Sequence, residues 1–365
     1  MNVLCYVSGH GYGHLTRTIA LVNALFDADT DVSIFVRTAA PRWLLDACAR
    51  RPVACSEAPI DAGVLERGPM HQDREGTLEA YARVLARRND LIAREIEFCR
   101  EHAVSVIVSD IPPLASEVGA AAGLPVVAVG NFSWDYIYRP WERAFPHFEG
   151  LVDDIRRSYA ETGLLLRLPL SHEMDAFPRQ RNIPFIARGR TWPVGEGRRR
   201  LGIPESETRP LVLVTMRMGH HLARATNRLA AGGEFMVLTF DGEGLDPSPN
   251  LRVLHRSLQP VFPDVLATVD LLVSKLGYSM CAETVAGRTP VLYAPRFDYP
   301  EHDVLAAGIN DFVPARPMSA GDDSGESWPG QLLKLLAMPI PPAPPVNGAE
   351  IAAGIILGTV TAAYK

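Results

Sequence analysis

The chain opens with MNVLCYVSGHGYGHLTR, residues 1–17. Val3–Ser8 is an apolar, strand-like run, and Leu15–Phe26 follows with the spacing of a helix. Between them Gly9, Gly11 and Gly13 leave the backbone bare, so the stretch reads as strand, glycine turn and helix. Such a unit belongs to a parallel sheet, and its turn lies at the carboxyl end of the strand, where open α/β sheets hold ligands. Amides at the helix N-terminus favour an anionic group there. No GK[ST] follows, which excludes a P-loop, and the third glycine comes one place early for a dinucleotide fingerprint. The two loop histidines, His10 and His14, add groups that accept protons near neutral pH and are candidates for a general base. His14 begins the helix, where the positive end of the dipole favours the neutral imidazole. A purely structural turn with packed histidines is the plainer alternative.

The same alternation continues along all 365 residues. Strands are expected at Val32–Arg37, Val104–Ser109 and Val126–Gly130, with helices at Pro41–Arg50, Thr77–His102, Leu114–Ala122 and Trp141–Ala160. A second series has strands at Leu211–Thr215, Phe235–Phe240, Leu251–Leu254, Leu271–Ser274 and Val291–Ala294, with helices at His220–Leu229 and Ser279–Gly287. The charged, Pro- and Gly-rich stretch that starts at Arg181 divides the two series. The fold class is therefore α/β, two doubly wound Rossmann-like domains facing a cleft: residues 1–182, residues 183–348, and a closing helix within 349–365. The spacer PIPPAPPVNG (339–348) carries that helix back to the first domain.

Composition narrows the function. With 47% hydrophobic and 21% charged residues the chain is globular, and its net charge of −6 argues against a nucleic-acid partner. Five scattered cysteines without CxxC spacing indicate free thiols in a reducing, cytoplasmic setting and no metal site. No signal peptide begins the sequence, and no apolar run reaches the ~20 residues of a membrane span.

The second informative stretch is VDLLVSKLGYSMCAETVAGRTPVLYAPRFDYPEHD, residues 269–303. Its turn, Lys275-Leu276-Gly277-Tyr278-Ser279, presents amides and a hydroxyl at a helix start, a seat for a diphosphate. Glu283 lies on the same helix face as Ser279 and suits the two hydroxyls of a ribose, unless it is an ordinary surface acid. Arg296, Asp298, Glu301 and His302 crowd the loop after the next strand, a setting suited to a sugar's hydroxyls. In the first half, NFSWDYIYRPW (131–141) interleaves aromatic rings with Asp135 and Arg139 and also follows a strand. Asn131, Trp134 and Asp135, with Gly11, Tyr12 and Gly13, are candidates to hold an acceptor, although core packing is the usual fate of such aromatics. Asp110, which ends VSVIVSD, can orient a histidine base.

These motifs together resemble known proteins. GYSMCAETVAGRTPVLYAPR looks like the nucleotide-sugar signature of GT-B glycosyltransferases. GHGYGHLTRTIALVNAL resembles the glycine loop of the N-acetylglucosaminyltransferase that makes lipid II, whose loop histidine matches His14; His10 stands where that enzyme has a small residue. The glycosyltransferase-like N-terminal domain of plant L-arabinokinases is similar throughout, with a matching glycine loop, NFSWD segment, IPFIAR strand, RxDY loop (Arg296, Asp298, Tyr299) and closing helix. The sugar-kinase domain of those proteins has no counterpart among these 365 residues, so the resemblance carries no kinase activity with it. The resemblance implies a metal-independent glycosyltransferase without a cofactor, moving a sugar from a nucleotide diphosphate sugar, a UDP-sugar, to a hydroxyl acceptor. His14 or His10 would be the base, and the amides near Gly277, with Lys275 or Arg217, would stabilise the leaving diphosphate. The rival readings are a non-catalytic sugar-nucleotide binding protein, an epimerase or hydrolase of nucleotide sugars, and a dinucleotide oxidoreductase using the first loop and Arg37.

Overall fold

The structure, a computed structural model, describes residues 1–9, 11–68, 71–216, 219–322 and 324–363. The opening run is strand β1 (Asn2–Val7), whose Leu4 and Tyr6 face one way and Val3 and Cys5 the other, all buried. Burial on both faces is what a central strand of a helix-covered parallel sheet requires. Strands β2 (Ser33–Arg37) and β3 (Ala54–Ser56) follow, then a separate hairpin of β4 (Glu66–Gly68) and β5 (His71–Gln72). Next come β6 (Val106–Asp110), β7 (Val126–Gly130), β8 (Leu164–Arg167) and β9 (Gln180–Asn182). The first sheet has the order β3-β2-β1-β6-β7-β8-β9 and is parallel throughout.

The second sheet comprises β10 (Leu211–Val214), β11 (Met236–Thr239), β12 (Leu251–Val253), β13 (Leu271–Lys275), β14 (Val291–Ala294) and β15 (Ala315–Pro317). Its order, β12-β11-β10-β13-β14-β15, is again all parallel. These are two Rossmann-like, doubly wound sheets. In each, the chain winds outward from a central strand, returns, and winds the other way. The reversal falls between β1 and β6 in the first sheet and between β10 and β13 in the second. Loops diverge at such a point, which leaves a crevice at the carboxyl ends of the two strands.

The chain divides into two compact units, one of Met1–Arg188, Asp298–Val304 and Pro345–Lys365, the other of Gly189–Phe297 and Leu305–Pro344. The inclusion of 298–304 in the first unit departs from the sequence reading, which left that loop in the second domain. Two helices also differ. Thr77–His102 is not one helix but Arg74–Ala86 and Arg88–Glu101, broken at Arg87. The break lets Leu78 and Tyr81 join one apolar cluster while Leu91 and Cys99 join another. Trp141–Ala160 is likewise divided, into Trp134–Ala144 and Leu151–Ala160, with Pro146 opening a short 3-10 turn between them. Among the described residues no helix is long and apolar enough to cross a membrane.

The last helix, Gly348–Ala363, packs on the helix Gly13–Ala28 of the first unit. Ala349, Ala352, Ala353 and Ile356 recur at helical spacing and are buried. The helix starts against Pro184 and Phe185: the Gly348 amide donates to the Phe185 carbonyl at 3.0 Å. A Cβ at Gly348 would come within 2.2 Å of the Pro184 carbonyl oxygen. Backbone cannot yield there as a flexible side chain would. Gly348→Ala should therefore lower stability by about 1–3 kcal/mol, read from the urea midpoint; an unchanged midpoint would show that the helix start is not held there.

Candidate active site

In the first unit the loop after β1 and the end of β6 meet at the reversal point. Val7 stands opposite Asp110 in register, and the Ser8 amide donates to the Asp110 carbonyl at 2.8 Å. Gly11 has a φ of 65°, a conformation L side chains rarely adopt, so the turn depends on glycine there. The turn delivers His14 into the first turn of the helix Gly13–Ala28, where His14 is only 6% exposed. Its Nδ1 lies 2.7 Å from Asp110 Oδ1, and its ring meets Phe132 edge-on with centroids 5.5 Å apart.

Asp110 is the hub of this arrangement. Arg17 Nε donates to its Oδ2 at 2.7 Å, Arg17 Nη2 donates to Oδ1, and the Thr18 hydroxyl donates to Oδ2 at 3.2 Å. Burial would push the Asp110 carboxyl up, but the charge of Arg17 and the neighbouring His14 hold it down to about 2. A carboxylate at Oδ1 makes Nδ1 of His14 the protonated nitrogen, so the neutral ring keeps its lone pair on Nε2. The 3.2 Å approach of Arg17 Nη2 to His14 Nδ1 follows from two donors sharing one oxygen. A neutral imidazole with an oriented, unprotonated Nε2 is equipped to take a proton.

A second carboxylate stands close by. Asp61 accepts from the Ser8 hydroxyl and, at 2.8 Å, from the Ala62 amide. Burial raises its pKa, against which the Ser8 hydrogen bond works. Neither Arg17 nor Asp61 was singled out from the sequence. Arg17 had a readable signal, since it is the only charged residue between His14 and Asp27 in an otherwise apolar helix. Asp61 lies in a loop and carried none.

The residues expected to hold an acceptor are divided. Tyr12 and Gly11 are exposed on the loop, and Gly13 is half-buried. Asn131, Trp134 and Asp135 are instead interior. Asn131 bridges Arg17 and Glu301, Trp134 stacks on Tyr138 in the aromatic core, and Asp135 pairs with Arg156 at 2.9 Å. Rings placed two faces deep in the unit bury more apolar surface than an exposed platform would, which is why packing claims them. The loop expected to touch a donor sugar is also drawn inward. Glu301 and His302 are buried; the Asp298 side chain is exposed and lies 3.5 Å from Arg74. The Asp298 carbonyl accepts from Trp141 Nε1 at 3.2 Å. Arg37, the basis of the dinucleotide reading, is spent on Glu95 at 2.5 Å and Ser56 at 2.9 Å, with its guanidinium over Phe98. His10 and Arg217 lie outside the described residues.

In the second unit the reversal point carries the other motif. Thr215, just past β10, donates to Ser274 Oγ of β13 at 3.0 Å. Lys275 ends β13, and Gly277 is the N-cap of the helix Tyr278–Gly287, with no side chain of its own to occupy the first-turn amides. Space is open where its Cβ would be. Ser279 is half-buried at the helix start, while Tyr278 and Glu283 are buried; Glu283 is therefore no surface acid. Arg296, after β14, is buried as well. Among the described residues no group of His, Cys, Asp and Glu could hold a metal ion.

Comparison with known proteins places this architecture. No protein-family model matches the chain. The chain is similar to L-arabinokinase of Arabidopsis thaliana, 27% identical over 359 residues, which is 97% of this chain and 34% of that protein. It thus spans about a third of the length of the curated relative it matches. Among solved structures, spinosyn rhamnosyltransferase SpnG complexed with spinosyn aglycone superposes with a TM-score of 0.62 at 15% identity, covering 99% of this chain and 96% of that one. The calicheamicin glycosyltransferase CalG4 gives 0.61 at 16% identity, covering 98% and 94%. The glycosyltransferase SnogD from Streptomyces nogalater gives 0.61 at 17%, covering 99% of both. The fold is that of the GT-B glycosyltransferases.

The Asp110 hub has a measurable consequence. Its depressed pKa, about 2, means that the ionised form adds stability above pH ~4 and that this is lost as pH falls towards 2. Asp110→Asn leaves the Arg17 charge buried without its partner and should cost roughly 3–5 kcal/mol at pH 7. The gap from wild type, taken from guanidinium unfolding, should narrow at pH 3. A gap independent of pH would mean that charge is not what Asp110 contributes.

Proposed function

We propose that this chain is a glycosyltransferase that moves a sugar from a nucleotide diphosphate sugar, with UDP as the nucleotide, to a hydroxyl-bearing small-molecule or glycan acceptor. The observation that carries the reading is the His14–Asp110 pair at the reversal point of the first sheet. His14 Nε2 takes the acceptor's hydroxyl proton while the oxygen bonds to the anomeric carbon. The bond from that carbon to the diphosphate breaks, and the diphosphate leaves with the electron pair. Asp110 fixes the ring and balances the imidazolium charge that forms. The second unit holds the donor: first-turn amides of Tyr278–Gly287, with Lys275 and Ser279, stabilise the departing charge without a resident metal, and Glu283 holds the ribose. Support for two ligands of these kinds comes from SpnG, which has been crystallised with thymidine diphosphate and with its aglycone. Five free cysteines fit a reducing, cytoplasmic setting.

One observation favours a second reading, a binding module without turnover: the matched region is about a third of a longer protein named as a kinase. The experiment separates the two. The purified chain is given UDP-, dTDP- and GDP-sugars with a panel of hydroxyl acceptors, and nucleoside diphosphate release is followed. Turnover should appear and fall by about 10²–10⁴ in His14→Ala, with calorimetric UDP affinity unchanged. Glu283→Ala should do the converse, weakening UDP binding by about 1.5–3 kcal/mol. Nucleotide binding without turnover selects the module, and wild-type turnover in His14→Ala removes His14 as the base.

A further inference from the structure

Three buried side chains continue the pair away from the loop. Arg17 Nη1 donates to Asn131 Oδ1 at 2.9 Å, and Asn131 Nδ2 donates to Glu301 Oε1 at 2.9 Å. Arg17, Asn131 and Glu301 are 3%, 1% and 6% exposed, so each hydrogen bond is made away from water, where losing one is most costly. The guanidinium is a planar fork with one edge on both Asp110 oxygens and its remaining nitrogen on Asn131. Asn131 has its carbonyl oxygen turned to Arg17 and its amide nitrogen to Glu301, so the donor-only guanidinium and the Glu301 carboxylate hold it from both ends. Glu301 sits in the segment Asp298–Val304, which is also joined to the rest of the first unit by Trp141 Nε1 to the Asp298 carbonyl, by the Tyr136 hydroxyl to the Pro300 carbonyl at 3.5 Å, and by Arg74 to the Asp298 carboxylate at 3.5 Å.

We propose that Glu301, acting through Asn131 and Arg17, is a positioning residue for the His14–Asp110 pair, so that docking of the segment 298–304 sets the geometry of the base. This rests on the reading of His14 as the base, but it concerns hydrogen bonds that exist without any substrate. It gives Glu301 a role on the acceptor side of the reaction rather than as a ligand of the donor sugar. It also explains why an asparagine opens NFSWD. Aspartate there could not donate to Glu301, and leucine could not accept from Arg17.

The test is a spectroscopic one on the full chain with 15N-labelled histidine. Wild type should show a slowly exchanging, downfield Nδ1 proton that disappears in His14→Gln, which assigns it. Glu301→Ala should broaden or lose that signal, because Asn131 is then held at its oxygen alone and no longer fixes the Arg17 fork. Glu301→Gln should keep it, since its amide oxygen still accepts from Asn131. Arg17→Lys should lose it, since an ammonium lacks the planar fork that meets both Asp110 oxygens and Asn131 at once. Circular dichroism confirms folding in each case. If Arg17→Lys does not fold, the Glu301 pair decides. A folded Glu301→Ala that keeps the wild-type signal overturns the proposal, as does loss in both Glu301 variants, which would tie the effect to charge and not to the relay. If the signal behaves as expected and no sugar is transferred, the proposed reaction fails while the positioning role stands.

Discussion

A carboxylate buried at the end of a strand is stable only if cations and donors reach it, and the site is arranged around that requirement at Asp110. Arg17 supplies two charged hydrogen bonds, Thr18 a third, and His14 a fourth. All four come from three residues within a turn and a half of a single helix, so the helix has to begin where it does. That start depends on the glycine turn from Gly9 to Gly13. The imidazole in this arrangement is both a stabilising donor and, on its other nitrogen, a vacant acceptor. Structural and chemical demands are met by the same ring.

Position in the topology explains why such a group is useful here. Both sheets reverse their winding at a central strand, and both informative loops leave the sheet at that reversal. In the first unit the loop delivers the proposed base, and in the second it delivers a helix N-terminus beside Lys275. Proton removal and stabilisation of a departing anion are the two demands of transferring a sugar from a diphosphate to a hydroxyl.

Much of this was legible in the sequence because it follows from short-range patterns. The β-branched runs, the two glycine turns and the helical spacing of the closing stretch gave the layers and strand succession. His14 and Asp110 were readable as a candidate base and an acid to orient it, Asp110 at the end of a strand and His14 at the start of the helix that follows another. What the sequence hid was direction. NFSWDYIYRPW and RFDYPEH were assigned to opposite substrates by their chemistry, yet Trp141, Tyr136 and Asn131 reach the backbone or side chain of 298–301. A pairing between positions 170 apart leaves no periodic trace in one sequence. The helix breaks at Arg87 and Pro146 were missed for a related reason: the first sends an apolar stripe to a different cluster, the second brings a new helix back onto the same cluster, and only the packed clusters show it.

The central claim is that the His14 imidazole, held by Asp110, removes the acceptor's proton. Shortening His14 to alanine leaves a ring-sized hollow beside Asp110, Phe132 and Trp134, all within reach of the lost ring. Free imidazole can enter that hollow, donate to Asp110 and offer its other nitrogen. The most direct measurement is therefore sugar transfer by His14→Ala against imidazole concentration. The account predicts saturable recovery of turnover that requires neutral imidazole and vanishes in the double variant that also carries Asp110→Asn. Recovery that is absent, or that persists without Asp110, would contradict it.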